Sequence, residues 1–135
     1  IIQHSKDQVI IDDYAHHPEA IRAVHNSIRE MFPGEEIAVF FQPHLYSRTQ
    51  QFEEEFAEVL ALFDAVYLLP VYPAREKPIQ GITSRNLLRK VQQPNRLYIE
   101  KNEFADFVNV SSEDIKVVLG AGDIGQLVES LKITV

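Results

Sequence analysis

Short apolar runs alternate with helically spaced apolar stripes along nearly the whole chain, and no other feature limits the fold as strongly. Val9–Ile11, Ile37–Phe41, Ala65–Val71, Leu97–Ile99 and Ile115–Leu119 read as strands. Between the first two, Ile21, Val24, Ile28 and Met31 recur at spacings of three and four, one apolar face of a helix. Pro18 stands at its first position, where a missing N–H costs nothing, and Pro33-Gly34 ends it. Ser47 and Gln50 have capping-box spacing, so Ser47 is expected to cap a helix striped by Phe52, Phe56, Val59, Leu60 and Phe63. Ser84 is expected to cap a helix carrying Leu87, Leu88 and Val91; Phe104–Val108 reads as a short helix. Ile124, Leu127, Val128 and Leu131 form the last stripe. Ile1–Gln3 is expected to pair with the Val9 strand through the turn-prone Ser5-Lys6-Asp7. The pattern predicts an α/β domain on a mostly parallel sheet with an N-terminal antiparallel strand or hairpin.

In such a fold right-handed crossovers bring every strand-to-helix loop to one edge, the carboxyl ends of the strands, where open α/β sheets bind ligands. The polar clusters obey this placement. Asp12-Asp13-Tyr14-Ala15-His16-His17 follows the first of these strands, Gln42–Arg48 the second, and Tyr72–Glu76 the third. Gly120-Ala121-Gly122-Asp123 follows the last. Four polar or glycine-rich loops on one rim make a candidate site.

The 135 residues suffice for one domain with a real core, and residues 1–135 are read as a single unit without repeats or linkers. A net charge of −7 argues against nucleic acid, which needs a basic surface. No apolar run reaches the roughly 18 residues of a membrane span, so no membrane partner is expected. The absence of cysteine removes disulfides and thiolate metal sites. Ile1 in place of an initiator Met suggests a processed chain or a piece of a longer one.

Each cluster also has a plain structural reading. Asp12 and Asp13 can simply cap a strand and a turn. His16 and His17, as neighbours, are expected to point apart and make a poor metal pair, so no metal site is assigned. The glycines of Gly120–Gly122 allow close backbone approach to a ligand or to a packed element. His44 with Arg48 stands out, because a cation and a histidine before a helix suit a carboxylate or phosphate. A signalling receiver domain would need a phospho-accepting Asp after the third strand and a Lys after the fifth. The chain reads "LLPVYP" and "LGAGD" there.

Two segments carry the reading further. "DDYAHHPEAI" and "FQPHLYSRTQQFEEEF", with "VYPAREKPIQGITSRNL" and "GAGDIGQLV", resemble, in order, the C-terminal domain of the Mur ligases, in the branch that adds L-alanine. "DDYAHHP" is shared with the related murein-peptide ligases; "FQPHLYSRT" is the sharper discriminator. The resemblance implies a Rossmann-like three-layer domain from a three-domain bacterial cytoplasmic enzyme of peptidoglycan synthesis. In that family ATP phosphorylates the lactyl carboxylate of UDP-N-acetylmuramate, and the L-alanine amine attacks the acyl phosphate. Mg2+ offsets charge among the phosphates. The chain has no G-x-x-x-x-G-K-[ST] sequence, so the N-terminal and central domains are expected as its partners, with no cofactor held tightly by this one. The alternative is the same domain of a related ligase adding another amino acid or a peptide.

The resemblance also implies roles. Asp13 meets the ribose or adenine side of the nucleotide, and Tyr14 walls the amino-acid site. His16 and His17 support the closed active site as catalytic residues. His44 and Arg48 hold the L-alanine carboxylate. Many members carry arginine where this chain has Leu45, which places more weight on Arg48.

Overall fold

In the computed structural model, which describes residues 3–4 and 9–134, six strands form one sheet. They are β1 (Gln3–His4), β2 (Val9–Asp13), β3 (Ile37–Phe41), β4 (Ala65–Leu68), β5 (Arg96–Tyr98) and β6 (Ile115–Leu119). Their spatial order is β1-β2-β6-β3-β4-β5, with only β1 antiparallel. The expected antiparallel pairing is therefore present, joining Gln3 with Ile10 and His4 with Val9. Its turn at residues 5–7 and the first two residues lie outside the described residues.

Period-two alternation along the strands divides the core between two faces. Val39, Phe41, Val66, Leu68, Val117 and Leu119 face one cluster, while Ile10, Ala38, Phe40 and Val118 face the other. The first is covered by α1 (Pro18–Met31), α3 (Glu53–Leu60) and α4 (Ser84–Lys90), through Ile21, Ile28, Phe56, Leu60 and Leu87. The second is covered by α5 (Phe104–Val110) and α6 (Ile124–Thr134), through Phe104, Val108, Ile124, Val128 and Leu131. Because both faces are covered, β3 and β6 are buried at every position. The result is a three-layer, Rossmann-like α/β fold. The chain steps outward from β2 to β5 by way of α1, α3 and α4, then returns through α5 to lay β6 between β2 and β3. That reversal opens a crevice at the carboxyl ends of β2, β6 and β3.

Local details differ from the sequence reading. The helix expected through Phe63 is two, α2 (Tyr46–Gln51) and α3, broken at Phe52. Phe52 leaves helical geometry (φ −115°, ψ 22°), which lets α2 aim at the rim while α3 lies on the sheet. Ser47 does not cap; the residue before α2 is Leu45, and Ser47 lies inside the first turn. Ser84 is also inside its helix, capped by Thr83, whose side chain accepts the Asn86 N–H. The buried Ser84 hydroxyl donates instead to the Leu69 carbonyl at 2.5 Å. Met31 is 58% exposed, and the buried face of α1 is instead made by Pro18, Ile21, His25 and Ile28. The third strand stops at Leu68, and the fourth spans Arg96–Tyr98.

Candidate functional site

Four loops meet above the crevice, in the rim order set by the strands. The loop after β2 begins with Asp13, whose Oδ1 accepts the Ala15 N–H at 2.9 Å, closing a tight turn. This turn lifts Tyr14 into solvent, 71% exposed. His16 Nδ1 donates to the Tyr14 carbonyl at 3.0 Å, so Nε2 is the only acceptor left on a neutral His16. His17 is the last residue before α1, with Pro18 at its first position as expected.

The two adjacent histidines do not point apart. Their ring centroids lie 5.1 Å from each other. His16 meets His44 edge-on at 5.6 Å, while His17 meets Phe52 at 5.7 Å. The extended backbone at His17 runs directly into helix geometry, which keeps the two rings on the same side.

The loop after β3 supplies His44, Leu45 and Arg48. Arg48 Nη1 donates to His44 Nδ1 at 3.3 Å. A guanidinium cannot accept, so His44 carries its proton on Nε2. Burial holds His44 below its ordinary pKa, with interactions with His16 and the Arg48 charge adding to the effect and Glu76 opposing it. His17 is likewise lowered, by burial, Arg48 and His16 in that order. His17 and His44 are therefore both biased toward the neutral form beside the permanent Arg48 cation.

The third loop locks the second. His44 and Tyr72 form a parallel bridge; Leu45 N–H donates to the Tyr72 carbonyl and Tyr72 N–H to the Pro43 carbonyl, both at 2.8 Å. The Tyr72 ring stacks on His44 with centroids 5.4 Å apart and planes at 17°. Leu45 is forced to φ +72°, a region costly for a non-glycine residue. Its carbonyl is gripped by Thr49 N–H at 3.1 Å and Thr49 Oγ1 at 2.8 Å, so surrounding bonds hold the strained turn.

The fourth loop, Gly120–Asp123, closes the crevice. A Cβ on Gly122 would lie 2.5 Å from Tyr72 Cγ and 2.6 Å from Gln42 Oε1. Gly120 sits at φ +149°, pressed against Gln42 and Ile124. Fully buried Gln42 donates to Asp123 Oδ1 at 2.6 Å and accepts the Ile124 N–H at 3.1 Å. Lys101 pairs with the other Asp123 oxygen. Asp12, Asp13, Tyr14, Gly120, Gly122 and Gly125 help line a recess of about 220 Å³ beside these bonds.

All six residues singled out in the sequence thus stand on one rim. His16, His17, His44 and Arg48 form a contiguous group, with Tyr14 edge-on to His16 at 5.9 Å. Asp13 lies toward the glycine recess instead. Sequence reasoning named the loops of Gln42, Tyr72, Glu76 and Asp123 but gave these residues no role. Their position after strand ends was the available signal. Among the described residues, no three His, Asp or Glu side chains gather in a metal-binding group, and no helix is long and apolar enough to cross a membrane.

Known proteins agree with this architecture. The chain is 51% identical over 124 residues to the UDP-N-acetylmuramate–L-alanine ligase of Flavobacterium johnsoniae, covering 92% of this chain and 28% of that protein. It is 46% identical to the same-named ligase of Porphyromonas gingivalis, over 92% of this chain and 27% of that one. The crystal structure of the UDP-N-acetylmuramate-alanine ligase of Thermotoga maritima superposes with a TM-score of 0.72 at 27% identity, over 98% of this chain and 28% of that chain. The chain thus spans little more than a quarter of the length of these relatives. The sequence model of the Mur ligase glutamate ligase domain matches residues 1–124, and on that match the chain belongs to the Mur ligase family, as its C-terminal domain.

Proposed function

We propose that residues 1–135 are one folding unit, the closing, amino-acid-delivering domain of a bacterial cytoplasmic ATP-dependent ligase that joins L-alanine to UDP-N-acetylmuramate. The observation that carries this reading is the Arg48–His44 pair, held on the carboxyl rim beside His16, which in turn meets Tyr14. L-Alanine offers a methyl group, an amine that must stay free to attack, and a carboxylate. Capture must come mainly through the carboxylate, and a guanidinium can meet both its oxygens. His44 adds its Nε2–H from the same loop.

The other roles follow from position. Tyr14, exposed on the domain alone, walls the amino-acid site when the lid closes. His16, with Nδ1 tied to the Tyr14 carbonyl, keeps Nε2 to take a proton from the L-alanine ammonium before it attacks the acyl phosphate. His17 supports that loop at the entry to α1. Asp13, beside the glycine recess, meets the adenosine side of ATP. The described residues offer no donor cluster suited to Mg2+, which is assigned to the rest of the full-length enzyme together with the UDP-sugar and phosphate sites. When bound there, the ion offsets phosphate charge.

Activity of the full-length enzyme with L-alanine, glycine, L-serine and a tripeptide tests the reading. Preference for L-alanine is expected. Faster ligation of the tripeptide would assign the domain to a peptide-adding relative.

A further inference from the structure

We propose that Glu76 is a positioning residue for Arg48, acting from a separate loop as the cap of α2. This inference rests on the reading of Arg48 as the carboxylate-binding group.

The six-residue helix that carries Arg48 starts poorly. Its entry residue, Leu45, has no side-chain oxygen and sits at φ +72°, and its first turn has no acidic residue. Helix starts of this kind leave N–H groups without partners. Glu76, 29 residues downstream of Ser47, supplies what is missing. Its Oε1 accepts the Ser47 N–H at 3.0 Å, and its Oε2 accepts the Ser47 hydroxyl. A carboxylate thereby does in trans what Ser, Thr or Asp does at an ordinary helix start.

The same bonds keep Glu76 from competing for the cation. Both oxygens are occupied by Ser47, and among the described residues no ion pair joins Glu76 to Arg48. The Ser47 hydroxyl and N–H hold the Glu76 carboxyl below its ordinary pKa, with the Tyr46 N–H and then the Arg48 charge adding to the effect. The guanidinium is thus fixed on one side by His44 and left open to a substrate carboxylate. Freed from Ser47, the Glu76 carboxylate would be available to pair with Arg48 in competition with the L-alanine carboxylate. The Glu76 loop is itself anchored, since Glu76 N–H donates to the Pro73 carbonyl at 2.8 Å and Tyr72 is locked to His44 and Leu45.

Steady-state kinetics of the full-length ligase, varying L-alanine and ATP in turn, test this for Glu76→Ala, Glu76→Gln, Ser47→Ala and Arg48→Lys. Glu76→Ala is expected to raise the L-alanine KM about tenfold while leaving the ATP KM within about twofold. Glu76→Gln keeps an acceptor for the Ser47 N–H and should restore most of the affinity. Ser47→Ala, which loses the hydroxyl bond and releases one carboxylate oxygen, should also raise the L-alanine KM. An unchanged L-alanine KM in Glu76→Ala, or equal rises in both KM values that Glu76→Gln does not rescue, overturns the proposal. The Arg48→Lys control separates the two levels. A raised L-alanine KM there with a silent Glu76→Ala removes only Glu76, whereas a silent Arg48→Lys removes the carboxylate pocket and this inference with it.

Discussion

The Arg48 guanidinium donates to Nδ1 of His44 at 3.3 Å, across one turn of chain that leaves a strand and enters a helix. That contact requires a neutral His44, and the surroundings favour neutrality through burial, with His16 and the Arg48 charge adding to it. The histidine thus orients the cation without neutralising it, which a carboxylate in the same place would do.

Arg48→Lys in the full-length ligase should raise the L-alanine KM about ten- to hundredfold, since a charge-assisted hydrogen bond is worth roughly 1.5–3 kcal/mol. Lysine keeps the charge but loses the planar fork and the directed bond to His44. The ATP KM should move far less. Kinetics with each substrate varied decide it, and an effect confined to ATP would take Arg48 out of the amino-acid pocket.

Gly122→Ala should disturb stability and L-alanine binding together. Its Cβ would fall 2.5 Å from Tyr72 Cγ, and Tyr72 is stacked on His44. Relief requires moving Tyr72 or breaking the Gln42 bonds to Asp123 and Ile124. Overpacking of this kind costs about 1–3 kcal/mol. A lower Tm and a raised L-alanine KM are expected; a variant with both unchanged would show that the two loops are not rigidly coupled.

His25 gives the domain a pH-dependent stability. Burial holds its pKa below the ordinary value against the opposing hydrogen bond to Asn26, and the Arg29 charge lowers it further. Its Nε2 accepts from Arg29 Nε at 3.2 Å, and its ring packs on Phe63 at 5.0 Å. A depressed histidine pKa means that the unfolded chain takes up the proton first. The contribution is present in full above about pH 6.5 and is lost as pH falls from there toward the folded-state pKa. The slope is at most about 1.4 kcal/mol per pH unit for this residue. Urea unfolding at several pH values should show a shallower dependence in His25→Gln than in the unaltered domain; equal slopes would exclude His25 as the source.

The isolated domain should melt in one cooperative transition, because both faces of its sheet are covered by its own helices. It should also produce no ADP from ATP, UDP-N-acetylmuramate and L-alanine, lacking any phosphate-binding loop sequence. Circular dichroism on heating and a coupled ADP assay check the two statements separately. A broad, gradual melt would contradict self-sufficiency, and turnover by the pure domain would contradict the division of labour.

Much of this was legible in one dimension. The strands Ile37–Phe41 and Ile115–Leu119 have the same bounds in sequence and structure; the first is continuously apolar and the second is apolar but for Lys116, whose ammonium donates to the Val108 carbonyl, as suits a sheet covered on both faces. Pro18 marked the start of α1 for an equally local reason. Parallel alternation then sent the polar loops to one rim before any coordinate was known. The misreadings share a cause. Ser47 and Ser84 satisfied a local capping pattern, yet their hydroxyls bond to Glu76 and Leu69, groups 29 and 15 residues distant. A pattern along the chain ranks only partners close in sequence, and these were brought in by the return of later segments. The break at Phe52, the approach of His16 to His44 and the seating of Tyr72 against Gly122 were decided in the same way. The strand order, with β6 between β2 and β3, brings loops from distant parts of the chain within side-chain reach. The sequence by itself determined the layers, the rim and the chemistry available there; the order of the strands and the packing on them decided which of those groups touch.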